Sequence, residues 1–145
     1  MSATTLRILF CLFLVAHGWV HMSLAQVPVP QPGALRTPFF PAWWRAAVDP
    51  AWPASRLGMP ANLTQTMGWV LWLVVTVGFA IAGLGLLGLP GVNAIWPAAA
   101  VGSSVVSILL LALYWHPWFV MGPTLDLIIL AAIYFHWPVA LFQAA

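Results

Sequence analysis

Four histidines, two aspartates and one cysteine are the side chains of this 145-residue chain with the clearest capacity for acid–base or metal chemistry. His17 and His21 stand four apart in an apolar run, so a helix there presents both imidazoles on one face. Asp126 lies just inside the last apolar run and His116 just before it, separated by Pro117, Gly122 and Pro123. Two imidazoles at i and i+4, a third histidine and a carboxylate match a tetrahedral zinc or four-ligand iron site in number and type, so His17, His21, His116 and Asp126 are the metal candidates. No Glu-x-x-His or His-Glu-x-x-His spacing supports them. The competing reading is structural. A carboxylate in an apolar span needs a partner, and Asp126 could accept from His17, from Thr124 or from the free amides of its own first helical turn. Cys11 stands alone, which excludes an internal disulfide or a Cys-x-x-Cys redox pair.

A second chemistry is suggested by an echo. Ala112-Leu-Tyr-Trp-His116 and Ala132-Ile-Tyr-Phe-His136 each place alanine four residues before a histidine that ends an apolar run. This resembles the pigment-ligating helices of bacterial light-harvesting polypeptides, in which a small residue makes room for a macrocycle. The likeness covers seven residues, 112–118 and 132–138, and those polypeptides are single-span chains. It implies haem b or (bacterio)chlorophyll on His116 or His136; apart from the resemblance, His17, deepest in its span, and its neighbour His21 are the further candidates for such a group. Against it, Tyr, Trp and His at helix ends also form the aromatic belt of any membrane protein. The first-ranked reading has no cofactor.

Composition decides the class. The chain is 63% apolar and 4% charged, and it holds ten tryptophans. A soluble domain carries about a quarter of its residues as charged side chains, so lipid must cover most of this exterior. Four arginines without a lysine make no nucleic-acid footprint. The expected partners are the bilayer and other membrane subunits.

Four spans are expected, at about 6–25, 67–89, 93–115 and 120–142, making an all-α, up-down transmembrane bundle in one domain, with both termini on one face. Arg7 ahead of an apolar run and Ser23-Leu-Ala25 outline a secretory signal, but the length of the run and its two histidines favour a retained helix. Gly78, Ala82 and Gly85 in the second span, and Ala99, Ser103 and Ser107 in the third, form small-residue stripes on which two helices can approach closely. Serines in such a stripe are expected to bond the carbonyl a turn back. Residues 26–66 form the long loop, rich in proline and tryptophan, which is expected to lie in the headgroup layer. Trp43, Trp44, Trp115, Trp118 and Trp137 are its and the helices' interface anchors. Arg36, Arg45 and Arg56 favour a cytoplasmic loop, whereas the signal-like start favours the reverse. His17 falls about 12 Å and His21 about 6 Å before the loop-bearing end of the first span. Asp126 enters from that same face, so His17 and Asp126 are expected to pair across the bundle.

Arg7, His17-Gly18, Gly83-Leu-Gly85 and Asp126 together resemble the small bacterial four-helix membrane proteins of the DoxX-like kind. The resemblance implies a polytopic bundle of the bacterial inner (cytoplasmic) membrane, sometimes associated with quinone-linked redox partners. Without a complete catalytic set, the expectation is a noncatalytic accessory subunit of a respiratory or photosynthetic complex. A haem- or chlorin-binding protein ranks second, and a proton-coupled transporter component third, since an intramembrane Asp beside His can carry protons.

Overall fold

A computed structural model of the chain describes residues 2–21, 56–115 and 117–142. Trp43, Trp44, His116 and most of the long loop lie outside the described residues, as does the side chain of Trp118. Among the described residues the structure is all-helical, without strands. The α-helices are α1 (Ala3–Val20), α2 (Ala61–Leu86), α3 (Trp96–Leu113) and α4 (Met121–Tyr134). The first three are long and apolar enough to cross a membrane.

Local chemistry sets the boundaries. Ser2 caps α1, its hydroxyl accepting from the Thr5 amide at 3.1 Å. α2 follows Pro60 and ends ahead of Gly88 and Gly91, both at φ values near +87° (86° and 87°), where a side chain would strain the turn. Pro97 sits in the first turn of α3, where its missing N–H removes no helical bond. A 3-10 turn, Pro117–Val120, leads directly into α4.

The expected fourth span is corrected by the structure. In place of a helix over 120–142, α4 has 14 residues, about 21 Å, short of a hydrocarbon core of about 30 Å. His136 takes φ 50°, the Trp137–Pro138 peptide is cis, and a 3-10 turn follows at Val139–Leu141. That terminal segment folds under the bundle instead of extending it. Leu141 buries against Leu86 and Trp96, with Leu6 and Phe10 of α1 packed alongside. The other bounds shift by a few residues: α1 starts at Ala3, α2 at Ala61 and α3 at Trp96.

Successive helices run antiparallel, as their close approaches show. A Cβ on Gly18 would stand 3.1 Å from the Thr76 backbone and one on Gly83 3.0 Å from the Cys11 sulfur, which aligns α1 against α2. One on Gly78 would overlap the Ser103 hydroxyl at 2.0 Å, and one on Gly85 would meet Val92 and Trp96, which closes the α2–α3 hairpin along its two small-residue stripes. Gly122 lies against Leu111 and seats α4 on α3. The central core is Leu14, Val75, Phe79, Ala82, Ala100 and Ile129, drawn from all four helices.

At the loop-bearing end, Leu110, Leu111, Tyr114 and Phe119 form a second cluster, and the Tyr114 hydroxyl donates to the Thr64 carbonyl. That bond ties the end of α3 to the start of α2. Tyr114→Phe is expected to lower stability by about 1 kcal/mol, because the buried carbonyl loses its added partner. Denaturant titration in mixed micelles, followed by helical circular dichroism, checks this; no change would mean that the contact contributes nothing.

Candidate functional site

The site begins with α1 and α2 pressed together at Gly18. With no side chain at Gly18, the Thr76 hydroxyl reaches its carbonyl at 3.0 Å, and Phe79 comes up against the preceding histidine. The His17 ring is stacked on Phe13 at 5.7 Å and edge-on to Phe79 at 5.2 Å, which fixes its plane. Its Nε2 then points across the bundle to Asp126 Oδ1, 2.8 Å away. Asp126 is fully buried.

The second carboxylate oxygen is also engaged. Ser107 on α3 donates its hydroxyl to Asp126 Oδ2 at 2.5 Å, and the same Oγ lies 2.7 Å from His21 Nε2. His21 Nδ1 donates to the His17 carbonyl at 2.7 Å, closing the circuit on α1. One chain of hydrogen bonds, His17 to Asp126 to Ser107 to His21, therefore links α1, α3 and α4. All four side chains are buried among apolar neighbours. An unsatisfied polar group is expensive in such surroundings, and a complete network specifies a single packing.

The structure thus brings together three of the sequence-derived candidates, His17, His21 and Asp126, and of the other described ones none joins them. His136 is exposed at the far end of α4, its ring 5.0 Å from that of Phe142. Trp115 and Trp137 are both exposed, at the loop-bearing end and the opposite end respectively. Two expectations are corrected. Because α4 starts at Met121, Asp126 lies beyond its first turn, and Thr124 donates to the Val120 carbonyl instead of to Asp126. Ser107, expected to bond within its own helix, bridges two others. A signal for that role exists in the sequence: Ser107 lies about eight residues before the end of the expected third span and Asp126 about six after the start of the fourth, hence at similar depth.

No protein-family model, curated protein or solved structure matches the chain. Its chemistry has to be read from its own residues. His17, Gly18 and Asp126 meet at this site, and Gly83 and Gly85 lie at helix contacts.

One ligand atom from each of His17, His21 and Asp126 can be chosen so that all lie within 4.8 Å of one another. The charge balance favours hydrogen bonds over a divalent ion. Such an ion beside one carboxylate and two neutral imidazoles leaves a net positive charge in an apolar interior, and it displaces the protons that now join the side chains. A haem or chlorin metal requires a free imidazole nitrogen. His17 Nε2 and both ring nitrogens of His21 are already engaged, so ligation through any of these would break the network.

Proposed function

We propose that this chain is a noncatalytic integral membrane protein of the bacterial inner membrane, a four-helix up-down bundle with both termini on one face, acting as an accessory subunit of a larger membrane complex. The observation that carries the reading is α4. It is about a third shorter than a bilayer core requires, and its outer face exposes Leu127, Ile128, Tyr134 and Phe135. A short span meets the bilayer by thinning it or by packing against a neighbouring protein. The hydrogen bonding at the buried site agrees with this reading, since its side-chain to side-chain contacts join helices.

Site-specific crosslinking in the native membrane tests it. In a Cys11→Ser background, Ile128→Cys on the outer face of α4 is expected to give one crosslinked species of defined size, recovered at near-stoichiometric yield in gentle detergent. Leu12→Cys, on the exposed face of α1, serves as the comparison. If Ile128→Cys yields only uncrosslinked monomer through several mild extractions, the subunit reading is lost.

A further inference from the structure

We propose that His21, Ser107 and Asp126 form a one-proton store within the bundle, in which a single labile proton is held at His21 or at Asp126 and passes between them through the Ser107 hydroxyl. This goes beyond the subunit reading and does not depend on it.

The argument is a proton count. Three contacts join the four side chains in a line: His17 Nε2 to Asp126 Oδ1, Asp126 Oδ2 to Ser107 Oγ, and Ser107 Oγ to His21 Nε2. Each needs one proton. Neutral His17 carrying its proton on Nε2 supplies the first, and Ser107 supplies one of the other two. His21 cannot supply the last while neutral, because its Nδ1–H is committed to the His17 carbonyl, which can only accept. One further proton is therefore required, and only two positions along the line can take it. With Ser107 donating to Asp126, the proton is on His21 Nε2, giving an imidazolium and a carboxylate. Moving that proton to Ser107 Oγ while the Ser107 proton moves to Asp126 Oδ2 gives a neutral imidazole and a carboxylic acid. Both arrangements satisfy every contact and both have zero net charge, which suits an apolar interior.

Among the described residues of the four helices, no other ionisable group competes for the proton. On α1, Cys11 packs at Gly83, and Arg7 lies about 15 Å along the helix from His17. α2 has no ionisable residue, the only one on or capping α3 is Tyr114, which donates to Thr64, and the only other one on α4 is Tyr134, exposed at its far end. The hydroxyl of Ser104, a turn before Ser107 on α3, is buried without a partner among the described residues.

The test compares the full chain with Asp126→Asn, both reconstituted in lipid nanodiscs. The substituted amide can donate to Ser107 and accept from His17, so the network closes without the extra proton and the variant is expected to fold. Nitrogen NMR of 15N-histidine-labelled protein reads the charge of His21, and infrared difference spectra read the carboxylic-acid carbonyl band of Asp126. In the wild type at neutral pH, the imidazolium fraction at His21 and the acid fraction at Asp126 are expected to sum to one, and Asp126→Asn is expected to lose the imidazolium entirely. Should the wild-type sum be zero or two, or should His21 stay charged in Asp126→Asn, the store does not exist. If Asp126→Asn fails to fold, the wild-type sum alone decides between the same outcomes.

Discussion

Asp126→Ala is expected to lower the stability of the bundle by about 2–6 kcal/mol, because two buried polar groups each lose a hydrogen-bond partner at about 1–3 kcal/mol apiece. The substitution takes away both the 2.8 Å contact with His17 and the 2.5 Å contact with Ser107, and it leaves those two groups buried without their partner. Leu127→Ala, the neighbouring change on an exposed position, is expected to have an effect several-fold smaller. Asp126→Asn, whose amide can still bond both His17 and Ser107, is expected to fall within about 1 kcal/mol of wild type. His17→Ala supplies the cycle: alone it destabilises, and in the Asp126→Ala background most of its effect is expected to vanish, leaving a coupling energy of about 2 kcal/mol. Denaturant titration of all four species measures this. Strict additivity of the two single changes would show that the contact contributes no stability.

The second large effect is expected at Gly85. A Cβ there would stand 2.5 Å from the Val92 carbonyl oxygen and 2.7 Å from Trp96 Cβ, atoms fixed by the tight turn and the first residue of α3. Neither can rotate away, so Gly85→Val is expected to force the α2–α3 hairpin apart and destabilise it by about 3 kcal/mol. Gly102 is the control, since a Cβ at that position on α3 meets nothing within 4 Å. Gly102→Ala is expected to be neutral or to stabilise by about 0.5–1 kcal/mol, because alanine loses less backbone entropy in a helix. The two variants are compared by thermal unfolding in the same detergent. Equal melting temperatures would mean that α2 and α3 do not depend on close approach at Gly85.

Much of the architecture is legible in the amino-acid sequence. Six charges in a chain that is 63% apolar allow no water-covered surface, and uninterrupted apolar runs of the right length specify helices, because an apolar medium leaves backbone groups no partner but each other. Gly78, Ala82 and Gly85 marked the close face of α2 for the same reason: small side chains are the ones that let two backbones meet. Depth along a helix is also a one-dimensional quantity, which is why His17 and Asp126 could be matched by counting residues from the ends of their spans.

What the sequence could not decide was anything that depends on rotation about a helix axis or on a competition between partners. Ser107 has a carbonyl one turn back available to it, and only the positions of α1 and α4 around α3 turn its hydroxyl to His21 and Asp126 instead. The end of the fourth span is a similar case. Residues 120–142 are apolar almost throughout, so hydropathy reads them as one helix. The chain leaves that helix after Tyr134 because Leu141 and Phe142 have an apolar surface on α1, α2 and α3 to fold back against. Hydropathy by itself determined that these residues avoid water; the packing of three other helices decided where they go.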